Sequence, residues 1–135
     1  MNSNLSPIDW AKRPIQKYAD FSGRAPRAEY WWFVLAVLIV EMVAMMLDSM
    51  LGMSGMIGPY GPLLSLLMLG LLIPSIAVGI RRLHDTGRSG WWLLISLIPI
   101  IGAIVLIVFL ATPGDKGENQ HGPDPYGQDL ATTFA

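Results

Sequence analysis

Two long apolar stretches dominate the chain. No charged side chain occurs between Asp48 and Arg81, and none between Arg88 and Asp115. A third apolar stretch, before them, runs from Tyr30 and holds only Glu41 and Asp48. None alternates apolar with polar positions, so membrane β-strands, about half as long and period-two, are not predicted. The pattern predicts helices over about 30–50, 63–80 and 91–111, each near the ~20 residues that cross a ~30 Å hydrocarbon layer. The expected fold class is an all-α membrane protein with three transmembrane helices and a short N-terminal interfacial helix. Pro99 and Gly102 interrupt the third stretch. A kinked helix is the expectation there. The alternative is a re-entrant hairpin, which needs surrounding protein to bury its backbone.

Outside these stretches the signals are local. Ser6 suits an N-cap, Pro7 the first helical position and Asp9 the first turn, which predicts a helix over about 6–21. Ile8, Ala11, Ile15 and Tyr18 recur at helical spacing beside Lys12, Arg13 and Lys17, as in a helix resting on an anionic membrane surface. Pro14 weakens that helix. The connection 49–62 is rich in Gly and Pro and reads as an irregular loop. Three regions follow: a basic N-terminal segment 1–29, a membrane domain 30–111 and a flexible polar tail 112–135.

Composition agrees with the pattern. Of 135 residues 53% are apolar and 14% charged, against about 25% charged in soluble domains. A net charge of -1 gives no basic footprint for nucleic acid, and without cysteine there is no thiolate chemistry or disulfide framework. The charge distribution sets an orientation. Lys12, Arg13, Lys17, Arg24 and Arg27 precede the first span, the first connection has no charge, Arg81, Arg82 and Arg88 fill the second, and Lys116 alone follows the third. By the positive-inside rule the N-terminus and second connection are cytoplasmic, and the tail is expected outside. Trp31, Trp32, Trp91 and Trp92 agree, since they open spans at the cytoplasmic headgroup level. The first span starts too late, and lacks the small-residue site, to be a cleaved signal peptide.

Candidate chemistry is sparse. Arg81, Arg82, His84, Asp85 and Arg88 crowd the turn between the second and third spans, and Arg24 and Arg27 fall on the same side. Arg offers forked donors that suit phosphate, so these seven residues are the expected site for anionic lipid headgroups or a protein partner. They also serve as positive-inside anchors, with Asp85 pairing to an arginine or capping a turn. Catalysis on a lipid phosphate by His84 and Asp85 is an alternative without a supporting nucleophile or metal cluster. Glu41 stands near mid-membrane with Asp48 seven residues on, on the same helix face. An intramembrane carboxyl is either a proton or cation carrier, in an oligomeric channel or transporter, or a cross-helix hydrogen-bond partner. Asp48 is expected at the wet interface. Met42, Met45, Met46, Met50, Met53 and Met56 are expected as packing rather than a copper site, and His121 with Asp124 is too small a ligand set for a metal. No metal or cofactor is expected. A homo-oligomer or a membrane-protein partner is.

Five motifs occur in order: Phe21-Ser22-Gly23-Arg24; Glu29-Tyr30-Trp31; Arg81-Arg82-Leu83-His84-Asp85 with Ser89-Gly90-Trp91-Trp92; Pro99-Ile100-Ile101-Gly102; and Gly117-Glu118-Asn119 with Gly122-Pro123-Asp124-Pro125. Over about residues 18–127 the chain resembles the bacterial inner-membrane family filed as domain of unknown function 805. The resemblance implies a small multi-pass inner-membrane protein and brings no activity, substrate or cofactor with it. One departure stands out. The family usually has Ser or Thr three residues before the Glu, a capping box, whereas Pro26 occupies that place here.

Overall fold

The computed structural model describes residues 5–125. Among them the chain is helical: α1 (Pro7–Gln16), α2 (Arg27–Met50), α3 (Pro62–Asp85), a 3-10 helix (Gly90–Leu97) and α4 (Ile101–Ala111). The extended pairings are two isolated bridges, Ile57 with Tyr60 and Asn119 with Gly122.

α1 begins as its sequence dictates. The Ser6 hydroxyl accepts from the Asp9 amide at 3.2 Å, and Asp9 Oδ2 accepts from the Ser6 amide at 3.2 Å. This reciprocal box satisfies orphan donors at the helix start. The buried face is not the expected one: Trp10 and Pro14 are buried, while Ile8 and Ile15 are exposed. α1 does not lie apart on a surface; it packs mainly on α2 and also on α3.

α2 and α3 are each 24 residues long and apolar enough to cross a membrane. At ~1.5 Å per residue each is about 36 Å long. They run antiparallel, with Glu29 of α2 beside Arg81 at one end and Asp48 beside Leu63 and Leu64 at the other. Ala25, Phe33 and Val78 form the buried apolar centre, flanked by Tyr30, Val37 and Leu71. The outer faces are covered with exposed apolar side chains such as Leu38, Met42, Leu66 and Leu69.

Asp48 corrects an expectation: it is buried, not wet. Its two carboxylate oxygens accept the amides of Leu63 and Leu64, each at 3.0 Å. These are orphan donors at the start of α3, so Asp48 caps α3 from the last turn of α2. A Cβ on Gly61 would fall 2.3 Å from Asp48 Cγ, so the approach requires glycine.

Pro74 leaves its own mark. It has no amide hydrogen, so the carbonyl four residues back, that of Gly70, lacks its helical donor. The Tyr18 hydroxyl donates to that carbonyl. The segment after α1 thus repairs the break in α3's ladder.

The third stretch is not one helix, which corrects the expected span 91–111. A 3-10 arm ends at Leu97, the chain turns through Ile98, Pro99 and Ile100, and α4 runs back. Pro99 forces Ile98 to extended backbone (φ −82, ψ 114), and Ile100 adopts φ 65. A Cβ on Gly102 would lie 1.8 Å from the Ile95 carbonyl oxygen, so only glycine lets the two arms close. Each arm is roughly 16 Å long, about half a hydrocarbon layer. The end of α4 stands beside the end of α3: Arg82 Nε donates to the Leu110 carbonyl at 2.8 Å, and Trp31 Nε1 to the same oxygen at 3.3 Å. The segment is a hairpin, and the chain after it returns to the end where it began. The tail, where described, therefore lies at the same end as Arg24. The tail is also folded where described: residues 112–125 wrap over Arg24 and Asp85. Residues 126–135 lie outside the described residues.

Candidate functional site

The ends of α3 and α4, the N-terminal edge of α2 and the tail converge on three arginines. Arg24 follows Gly23, whose φ of 84 turns the chain inward. Arg24 Nε donates to Asp85 Oδ1 at 2.9 Å, and Arg82 Nη1 donates to Asp85 Oδ2 at 2.7 Å. One carboxylate thus serves two guanidinium groups. Their other hydrogens go to backbone carbonyls. Arg24 donates to Gly117 at 2.6 Å, to Gly122 at 3.3 Å and to Asp115. Arg82 donates to Leu110, to Ala25 at 3.2 Å and to Thr112. Arg81 pairs with Glu29, both side chains fully buried, and its Nε donates to the Asp20 carbonyl at 3.1 Å. The Asp115 amide returns a bond to the Asp85 carbonyl at 2.6 Å. A Cβ on Gly114 would lie 1.9 Å from Asp85 Oδ2, so the tail crosses Asp85 on a glycine.

Buried charges persist only when paired and hydrogen-bonded. Here nearly every one is. Among the described residues the buried side-chain atoms without a partner are Glu29 Oε1 and Arg81 Nη2, one from each half of a single ion pair. The cluster ties residues 20–29, the end of α3, the end of α4 and the tail into one unit.

His84 lies at its edge. Its Nδ1 is 2.9 Å from the Gly23 carbonyl, which can only accept, so Nδ1 carries the hydrogen. Its ring stacks on His121, centroids 3.9 Å apart and 3° from parallel. Burial, then the neighbouring charges of His84 and Arg24, hold His121 below the usual imidazole range, against an opposing pull from Asp115. Asn119 donates to the His84 carbonyl at 2.9 Å and to Asp115 Oδ2 at 3.1 Å. Asp85 faces Arg24 and Arg82, so the adjacent His84 and Asp85 do not form an acid–base dyad.

The expected site therefore divides. Arg24, Arg82 and Asp85 come together inside the molecule, with His84 beside them, and Arg81 is consumed by Glu29. Arg27 and Lys116 are exposed on the rim, and the Arg88 guanidinium sits 4.0 Å over the Phe109 ring. Trp91 is 78% exposed and Trp32 and Trp92 are exposed with it. Glu41 is half-buried, and no hydrogen-bond partner for it lies among the described residues. Met42, Met45, Met46, Met50 and Met56 face outward rather than packing within the chain. Glu29, Asp115 and Asn119 were not expected in the cluster. Their signal was position alone, since Glu29 and Asn119 sit in the quoted motifs and Asp115 just before the last.

The family model described as protein of unknown function (DUF805) matches residues 18–123. Two relatives from Escherichia coli K12 are similar over most of their length. Inner membrane protein YhaH is 45% identical over 118 residues, covering 87% of this chain and 97% of the relative. Inner membrane protein YhaI is 42% identical over 118 residues, covering 87% and 96%. No solved structure matches. The matched span runs through every arginine, carboxylate and glycine of the cluster from Arg24 to Gly122, and the chain belongs to the DUF805 family.

Proposed function

We propose that this chain is a small integral protein of the bacterial inner membrane whose cytoplasmic end binds anionic lipid headgroups. α2 and α3 cross, the hairpin dips in from the cytoplasmic side, and the N-terminal segment and tail share that side. All nine Lys and Arg residues lie before or at the start of α2, at or just after the end of α3, or after α4, and the loop joining α2 to α3 has none. That asymmetry favours a cytoplasmic tail under the positive-inside rule.

The observation that carries the binding role is the division among the basic residues. Arg24, Arg81 and Arg82 are spent on internal carboxylates and carbonyls. Arg27, Arg88 and Lys116 remain toward the rim, where Trp32, Trp91 and Trp92 protrude. Exposed tryptophan marks the headgroup level, and each basic residue there contributes about 1 kcal/mol of attraction to anionic lipid. The headgroup ligands are thus Arg27, Arg88 and Lys116, and the internal arginines hold them in place.

Native mass spectrometry from micelles of mixed phosphatidylglycerol and phosphatidylcholine tests this. The wild type is expected to retain phosphatidylglycerol preferentially. Changing Arg27, Arg88 and Lys116 together to Gln should remove most of that preference, with the largest difference at low salt. Unchanged retention in the triple variant overturns the assignment.

A further inference from the structure

The geometry points to a second copy of this chain on the face of α2 that carries Glu41, with the two Glu41 carboxyls hydrogen-bonded to each other across a two-fold axis. This rests on the membrane placement proposed above. Glu41 stands about 18 Å along α2 from Glu29 and roughly 10 Å from Asp48, well inside the span. It is half-buried and has no donor among the described residues. A carboxyl at that depth is costly unless a donor reaches it, and hydrocarbon has none to offer. The basic residues of this chain lie in segments outside the α2–α3 apolar stretch, so the donor comes from elsewhere.

A second copy supplies it without a new residue type. In an isologous contact the same patch meets itself, so Glu41 meets Glu41. A carboxyl can both donate and accept, so each Glu41 side chain offers the other a hydrogen-bond partner. The flanking positions form a seam. Val34, Leu38, Glu41 and Met45 recur at spacings of four, three and four, the pattern of left-handed helix pairs. Leu38 is 52% and Met45 53% exposed, so the seam is open in the single chain. One polar position in such a seam fixes register, and exposed methionines adapt to a partner surface.

A separate feature calls for protein at the same depth. The hairpin turns at Ile98–Ile100, roughly 16 Å from its base. Its backbone there is irregular, and Leu97 and Ile100 are among the most exposed apolar residues. Irregular backbone within hydrocarbon persists only under protein cover.

The natural sequence lacks cysteine, so single cysteines report directly. Leu38→Cys and Met45→Cys should form disulfide-linked dimers on oxidation in native membranes. Val43→Cys, exposed on the opposite side of α2, should form at least about tenfold fewer. In the Leu38→Cys background, Glu41→Gln should keep the dimer, because an amide both donates and accepts. Glu41→Leu should lower its yield about tenfold. Equal yields at Leu38, Met45 and Val43, absence of dimer, or linkage only to a different protein overturns the inference. So does an undiminished dimer in Glu41→Leu. Resistance to alkaline carbonate extraction is followed in the same samples. Loss of that resistance overturns the membrane placement, whereas resistance without cross-linking overturns the dimer alone.

Discussion

Asp85 shows how one residue changes meaning between sequence and structure. Its neighbours in sequence are His84 and the arginines 81, 82 and 88, which suggests a headgroup site or a histidine–carboxylate pair. Its neighbours in space are Arg24, 61 residues away, and Arg82. The basic residues were legible as a group on one side. Their burial was not, because the groups that satisfy Arg24 come from more than 90 residues further along. The expectation that Asp85 pairs with an arginine holds; the expectation that Arg81 and Arg82 face lipid does not fit their burial. Asp48 misled for the same reason, since nothing in its own helix shows that the amides of Leu63 and Leu64 arrive there. Removing a capping side chain costs about 0.5–2 kcal/mol. Asp48→Ala is therefore expected to lower stability by about 1–2 kcal/mol, with Asp48→Asn intermediate, in equilibrium unfolding in detergent. An Asp48→Ala protein as stable as wild type would show that the cap contributes nothing.

At the scale of elements, length and apolarity located α2 and α3 within a few residues. The sequence reading stopped α3 near Ile80, because arginines do not belong in hydrocarbon. The helix continues to Asp85 because carboxylates and carbonyls compensate those arginines, a tertiary effect that no window of hydropathy registers. In the sequence Pro99 and Gly102 mark an interruption that fits either a kinked helix or a hairpin. What decided it is the pair of arms closing on Gly102, which requires the backbone geometry itself. Pro74 gave no warning of its consequence, since the compensating Tyr18 belongs to a different segment. That compensation is measurable as a coupling. Tyr18→Phe should cost about 1 kcal/mol in the wild-type background. With Pro74→Ala, a backbone N–H returns to the Gly70 carbonyl and the same change should cost much less. A double-mutant cycle by denaturant unfolding measures the difference. Identical costs in the two backgrounds would mean that the hydroxyl does not serve the carbonyl that Pro74 leaves free.

For the whole molecule, the hairpin and the charge cluster are one device. A hairpin that turns back brings Leu110, Thr112 and Asp115 to Arg82 and Arg24, and those arginines in turn hold the base of the hairpin. A third crossing would carry these carbonyls to the far side of the bilayer and strip Leu110, Thr112 and Asp115 from the acceptors of two buried guanidinium groups. Each hydrogen bond to a charged group contributes about 1.5–3 kcal/mol, and a crossing forfeits several of them at once. Charge counts alone do not register this coupling, because they take every apolar stretch as a crossing. With the hairpin, the single basic residue after α4, Lys116, joins the other eight rather than standing apart from them. Single cysteines at Ser22, Ser54 and Glu118, each exposed, discriminate the two arrangements. In intact cells a membrane-impermeant thiol reagent should label Ser54→Cys and spare Ser22→Cys and Glu118→Cys, which should react only after permeabilisation. If Glu118→Cys labels together with Ser54→Cys, the third stretch crosses in the membrane, and the contacts of the tail with Arg24 cannot exist there.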